Sequence, residues 1–598
     1  MTVSEQEQPR SPGASALPPK GRRFPWGALA VIVVAGILAL GAWCAVVGYQ
    51  SLRDAQHIQA GGNAIRSMAG SGDYSEAVTE LEQVQRSAAN LNARLQSPPL
   101  AWAQSLPGIG ATAVAAATLV DATDSVLQAA DGLAPGFIDA AAGADLGGAS
   151  LVLQESADQM QRTVAAAQAA AAQVSAVDPD SVIGPLRAQF SQAQTQLLQA
   201  MDGVVQGAAL AAVMPDIFGV GEPAKWLVVL SQPSEARGSG GGFYGAYLQL
   251  TVSDARFALG PAAANGPETA VRQDLSTLPF DYQRLWGSDA QYLWGFNLSR
   301  HYPYTASVIH RALDPSADFV VSLSPRAVAG LLQLSGPVTV DGMTINAANA
   351  ESFFSRDVYQ RYENDWTKKD QVTLEALRQV FAGIEARGAV APIDVWRALG
   401  PAVEASHLEI WSPDPAIEAE LEDTSLAGAV PSLPSPWVTA AFNNSAGNKI
   451  DSFVRSSLTY TASGSCESGV VNGSVSAELT LQQLPPGLTS YISGRNDEPG
   501  APYGTSSMLV HVYGPSAAVA EGAVKVNGQP VFSEYAMERG HPVWGVKVQL
   551  VPDVPAKVTV DFKQPAYPGE QLVVDPQAMV QDTEVTVVDQ RSCVPPTR

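Results

Sequence analysis

The chain has 598 residues, room for about three or four folded units at ~150 residues each. Hydrophobic residues at 46% and charged residues at 16% exclude both a wholly disordered chain and a polytopic membrane protein. A formal charge of −23 repels nucleic-acid phosphates, three cysteines exclude a disulfide framework, and six scattered histidines predict no metal site.

Residues 1–23, with Pro9, Pro12, Pro18 and Pro19, read as a disordered cytoplasmic tail. Phe24–Leu52 carries no charged side chain, and Trp26–Tyr49 is almost entirely apolar, long enough at ~1.5 Å per residue to cross a ~30 Å hydrocarbon core. Arg10, Lys20, Arg22 and Arg23 outnumber Glu5 and Glu7 before it. This flank predicts a single transmembrane helix over 24–49, with the N-terminus in the cytoplasm and the bulk of the chain outside. A cleaved signal peptide is the competing reading; the apolar core is too long for one, and Gly41–Ala45 lacks a good cleavage site.

Residues 50–214 are rich in Ala, Gln, Leu and Val. Stretches such as Tyr74–Leu95 and Ala149–Val174 repeat apolar residues at helical spacing, and Pro98-Pro99, Pro107-Gly108, Pro135-Gly136 and Pro179 break them. The region reads as an α-helical stalk or bundle. Composition shifts after Pro215. Lys225–Leu230, Ala246–Val252, Arg256–Leu259 and Asp318–Leu323 read as strands, and Pro325–Gln333, Asn346–Tyr359 and Trp366–Ala386 as helices, giving a central α/β or α+β domain over 215–425. From 431 to 598, short runs rich in Val, Thr and Tyr alternate with Gly/Pro turns: Ser456–Ala462, Val470–Leu481, Ser507–Tyr513, Val543–Leu550, Lys557–Phe562 and Glu584–Val588. They predict an antiparallel β-sandwich. Cys466 and Cys593 fall in this region. An oxidising compartment favours a bridge between them, with two buried free thiols as the alternative.

The glycine-rich loop Gly238–Gly242 follows a strand and suits close approach of backbone amides to an anion. It lacks the Gly-Lys-Ser/Thr of a P-loop and no helix opens after it. Arg237 before it suits phosphate or carboxylate, so Arg237, Gly240, Gly241 and Gly242 are candidate ligand-binding residues. Arg356, Asp357, Tyr359 and Arg361 form a second polar cluster, with a solvated helix face as its plain alternative. Trp286, Tyr292, Trp294 and Phe296 are crowded, and core packing explains them as well as sugar stacking does. No hydrolase elbow, zinc-protease pair or Cys/His nucleophile is visible.

Trp226–Leu230, Gln232–Arg237, Gly241–Gly245, Phe296–Ser299, Asp318–Pro325, Leu334–Val338 and Arg356–Tyr359 together resemble the bacterial family designated domain of unknown function 4012, over about 215–410. The family's usual layout includes an anchor, an upstream helical region and a downstream β region. Asn297, inside one of these runs, joins the candidate ligand-binding residues. The central domain is distantly similar to the LytR-CpsA-Psr phosphotransferases, which move polyprenyl-pyrophosphate-linked glycans onto the cell wall. In that likeness Arg237 stands for the first arginine, Gly336-Pro337-Val338 for the turn, and Arg356, Asp365, Lys368 and Gln371 for the later cluster. The carboxylates that would hold Mg²⁺ are missing: Gly238 and Ser239 follow Arg237, and Asp274 is a weak substitute. Mg²⁺ is therefore expected only if the protein is transferase-like, and whether it is an enzyme is left open. The resemblance implies a cell-envelope protein at the membrane that binds a lipid-linked or wall glycan and assists its assembly or attachment. The alternative is a non-catalytic scaffold that holds envelope proteins.

Overall fold

The computed structural model describes residues 74–592, apart from 97–103, 107–108, 131–151, 153–155, 265–271, 288–291, 294, 296, 389, 391, 433 and 568–569. The expected tail and anchor, Cys44 and Cys593 lie outside the described residues.

Among the described residues, four long helices come first: α1 (Tyr74–Leu95), α2 (Gly110–Ala130), α3 (Ala157–Ser175) and α4 (Gly184–Ile217). Small side chains let them approach closely. Ala115, Leu119, Ala122 and Val126 on α2 share one apolar cluster with Ala167, Ala170 and Val174 on α3 and Leu197, Ala200 and Met201 on α4. Asn92 on α1 donates to Asp121 at 3.1 Å and Asp124 at 2.9 Å on α2. Gln194 on α4 caps the end of α3 through the carbonyls of Val174 and Val177. Among the described residues, α4 alone is long and apolar enough to cross a membrane by length and composition; it lies mid-chain and spends part of its apolar surface on its helical neighbours.

A mixed sheet follows. Strands β1 (Ala224–Gln232), β2 (Phe243–Ser253), β3 (Arg256–Ala264), β4 (Phe319–Leu323) and β5 (Leu408–Trp411) lie in the order β3-β2-β1-β4-β5. Only β1 and β4 pair in parallel, Trp226 opposite Phe319 through Leu230 opposite Leu323. Their near-continuous apolar sequences fit burial on both faces. On one side Leu227, Val229 and Val320 meet α6 (Tyr302–Leu313), which follows the short helix α5 (Phe280–Trp286). On the other, Val228, Leu230, Phe319 and Val321 meet α7 (Pro325–Ser335) and α8 (Trp366–Arg387). Ser324 caps α7 by accepting from the amides of Arg326 and Ala327. Between α7 and α8 the chain turns through residues 350–361, where Phe353–Asp357 winds as a π-helix.

Besides a two-stranded hairpin, Val338–Val340 with Met343–Ile345, the described residues form two further sheets. One contains β7 (Val454–Ser465), β8 (Val470–Leu481), β12 (Ala556–Pro565) and β14 (Glu584–Ser592). The other contains β6 (Trp437–Asn444), β9 (Ser506–Tyr513), β10 (Glu534–Glu538), β11 (His541–Leu550) and β13 (Val573–Val574). They meet through stacked rings of Trp544 and Phe562, centroids 6.0 Å apart. The expectation of antiparallel strands throughout needs correction, because β13 pairs in parallel with β6 and β14 with β7. The cause is the route of the chain: residues 575–583 cross from one sheet to the other instead of turning in a hairpin, so β14 arrives running the same way as β7. The molecule is thus α+β, with helices and several sheets, and one apolar core runs without a break from Val213 to Met579.

Cys466 is disulfide-bonded. Strand β14 ends with Ser592 in register with Ser465, the residue before it.

Candidate functional site

The parallel strands β1 and β4 deliver their carboxyl ends to the same edge of the first sheet, where ligands of open α/β sheets are commonly held. After β1 the chain makes a tight turn at Pro233–Glu235 and runs through Arg237 and the glycines into β2. Gly240 and Gly241 adopt left-handed backbone, φ +64° and +78°. A side chain on Gly242 would fall into the Gln232 carbonyl, and one on Gly238 into the Leu298 carbonyl. The glycines are there because backbone packs on backbone.

The loop's hydrogen-bonding groups face inward. The Gly240 amide donates to Glu409 Oε2 at 2.6 Å, and the Gly238 amide to Asn443 Oδ1 at 2.9 Å. Asn297 Nδ2 donates to the carbonyls of Ser239 and Gly242 at 3.0 and 2.8 Å. Arg237, only 8% exposed, donates to the carbonyls of Ala236 and Asn444 at 3.0 and 2.7 Å and to Glu235 Oε1 at 3.0 Å. Arg237, the three glycines and Asn297 therefore form one buried unit. In it the Gly240 amide, the Asn297 amide and the terminal nitrogens of Arg237 bond to the protein's own acceptors, while Arg237 Nε is left without one among the described residues. The Gly238 and Gly240 amides are thus turned to Asn443 and Glu409 and away from an incoming anion.

The second oxygen of Glu235 takes Lys449 Nζ at 2.7 Å, with both side chains more than nine-tenths buried. Burial alone would raise the Glu235 carboxyl; Lys449 and Arg237 overcome it and hold the group below its ordinary value. Burial likewise opposes the Lys449 charge, and Glu235 with the rings of Tyr359 and Tyr491 more than compensates. The ammonium sits 5.1 Å from the ring centre of Phe243, 4.9 Å from Tyr359 and 5.7 Å from Tyr491. Two other buried carboxyls border the unit. Burial pushes Asp451 up to about 7, against bonds from the Ala236 amide and Asn444, and Glu409 up to about 8, against Arg300 and the Gly240 amide.

Tyr359 carries the arrangement outward. A second ammonium, Lys369, lies 5.3 Å from the Tyr359 ring and 5.7 Å from that of Trp366, while its own carboxylate partner is Asp370 at 2.8 Å. Trp366 tilts against Tyr491 with centroids 4.3 Å apart and is 55% exposed. A fixed aromatic surface beside a cation thus reaches solvent. Of the second predicted cluster, only Tyr359 joins it. Arg356 pairs with Asp357 at 2.9 Å, and Arg361 lies over the Tyr362 ring. Lys368, on another side of α8, pairs with Asp341 at 3.1 Å.

Lys449, Glu409, Asn443, Asn444 and Tyr491 escaped the sequence reading. The one available signal was the polar run Asn443–Lys449 inside a strand-rich region. Trp286 packs on Tyr282 and His511 in the interior, so that crowded aromatic is core. Among the described residues, no three His, Cys, Asp or Glu side chains converge to hold a metal ion.

Residues 221–359 match the family described as protein of unknown function (DUF4012). The matched segment runs from the start of β1 through the glycine loop, β4 and α7 to Tyr359. Glu409, Lys449, Trp366, Lys369 and Tyr491 lie beyond it, so much of what holds the DUF4012 loop comes from outside the match. No curated protein and no solved structure matches the chain. The distant likeness to the LytR-CpsA-Psr enzymes finds no support in these comparisons.

Proposed function

We propose that the protein is a membrane-anchored, extracytoplasmic component of the bacterial cell envelope that binds a lipid-linked or wall glycan without transforming it. The observation that carries this reading is the exposed Trp366, braced against Tyr491 and flanked by Lys369. A pre-ordered indole stacks on a sugar ring at little entropic cost. The inward-facing glycine loop supports binding over phosphoryl chemistry, since the Gly238 and Gly240 amides already have partners inside the protein. In this reading residues 24–49 anchor the chain, the helices to Ile217 form a stalk, and the two facing sheets act as a β-sandwich that buttresses the site. Scaffold contacts with other envelope proteins are compatible with the same surface.

Two measurements test it. Protease added to intact spheroplasts should digest nearly all of the chain outside the anchor, and full protection would refute the orientation. Full-length protein in detergent should retain envelope polysaccharide on a gel-shift or calorimetric assay, and Trp366→Ala should weaken retention at least tenfold. Equal retention by the variant would remove this surface from the function.

A further inference from the structure

We propose that the Trp366 surface selects anionic sugars, those bearing a carboxylate or phosphate, with Lys369 as the residue that reads the charge. The proposal rests on the glycan-binding reading above and adds the ligand's charge.

Across a chain of formal charge −23, an anion is repelled almost everywhere. The aromatic cluster is a local exception. Arg237, Lys449 and Lys369 are gathered there against the carboxylates of Glu235 and Asp370, leaving one positive charge in excess while the buried Asp451 carboxyl beside them keeps its proton. The charges are not equivalent. Glu235 is fully committed, one oxygen to Arg237 and the other to Lys449, and both of those cations are sealed inside. Lys369 stands outside that pair, nearer solvent, and its carboxylate partner among the described residues is the adjacent Asp370. It shares the Tyr359 ring with Lys449, at 5.3 and 4.9 Å from the ring centre, so two ammonium groups lie against one aromatic ring. Burial lowers Lys369 below the usual lysine value, Asp370 restores part of the difference, and Lys449 lowers it further. An arriving anion relieves that repulsion, and Trp366 at 5.7 Å supplies the face for the ring that carries it.

The test uses full-length protein in detergent and isothermal calorimetry with three probes. These are a glucuronate-containing tetrasaccharide, the same tetrasaccharide with its carboxyls reduced to alcohols, and N-acetylglucosamine 1-phosphate. The expected result is at least tenfold tighter binding of one or both anionic probes than of the neutral one. That preference should disappear in Lys369→Gln and shrink as salt is raised, and Asp370→Asn should strengthen anion binding severalfold. The two anionic arms separate a sugar-acid ligand from a sugar-phosphate ligand. Thermal melting of each variant shows whether it folds, and Asp370→Asn keeps the proposal testable should Lys369→Gln fail to. Equal binding of neutral and anionic probes, unchanged in both variants, overturns charge selection and leaves the glycan reading standing. Binding of none of the three, with folded protein, overturns both.

Discussion

Glu409 sits beneath the glycine loop with one oxygen on the Gly240 amide, and burial holds its carboxyl near 8. The folded state keeps a proton that the unfolded chain releases near its ordinary value of 4.5. Its contribution to stability is therefore complete below about pH 4.5 and is lost as pH rises towards 8. Asp451 and Glu538, both pushed up to about 7, act in the same direction. Glu235, held low, acts the other way and gives up its contribution as pH falls through its depressed value. The imidazoles of His301, His407, His511 and His541, all held low by burial, add stability as pH rises to about 6.5. The melting temperature should accordingly decline between about pH 6.5 and pH 8. Glu409→Gln should flatten that decline and raise the melting point at pH 8; at ~1.4 kcal/mol per pKa unit, ~5 kcal/mol is an upper bound. A wild-type profile flat over this range would contradict the assignment. The Glu235–Lys449 pair gives a second test. Lys449→Met leaves one buried carboxylate short of a partner and should cost ~3–5 kcal/mol in urea unfolding, and adding Glu235→Gln should recover part of that loss. A single variant as stable as the parent would mean the pair is not buried as described.

At the scale of elements, the glycine loop makes the sharpest demand. Gly242→Ala would push a methyl into the Gln232 carbonyl, and Gly240→Ala would add a side chain at φ +64° against Tyr244. Either should destabilise by several kcal/mol or prevent folding, read as loss of the cooperative transition. Strands β1 and β4 were legible because buried parallel strands write uninterrupted apolar runs. Tyr74–Leu95 and Trp366–Ala386 were legible from helical periodicity. Strand β6 was not: it is buried along its whole length, so Trp437–Phe442 shows no alternation, and Asn443-Asn444 at its end looks like a turn. The glycine loop was legible, but the partners of its Gly238 and Gly240 amides were not, because sequence shows that amides are bare and not what meets them. Asn443 and Glu409 lie more than 160 residues along the chain from their partners in the loop, and no local pattern links such groups.

For the whole molecule, the DUF4012 match stops short of the interactions that hold it. A fragment spanning 221–359 lacks β5, Glu409, Asn443, Lys449 and Asp451, and its core is continuous with both later sheets. Expressed alone, it should show no cooperative unfolding and should be rapidly degraded by protease; a protected, cooperatively folding fragment would show that the later sheets are dispensable. Disulfide mapping of protein produced under oxidising conditions offers an independent check at the other end of the chain. The register of Ser592 with Ser465 leads to an expected Cys466–Cys593 peptide under non-reducing digestion, and a free Cys593 thiol would exclude it.

Residues 575–583, which route the chain from one sheet to the other, also have a consequence for synthesis. Ala578 lies against Gly241, Gln577 exchanges two hydrogen bonds with the Phe442 backbone, and Arg300 pairs with Asp575. The loop made near residue 240 thus waits for a segment made more than 330 residues later. During vectorial synthesis the early strands emerge with their apolar faces uncovered, and final closure comes only when almost the entire chain is available. Contacts of such long sequence separation make for slow folding and a prolonged exposure to aggregation. The molecule should therefore depend on holdase-type chaperones at its site of folding, and C-terminal truncations before residue 575 should yield aggregates in place of a folded upstream region.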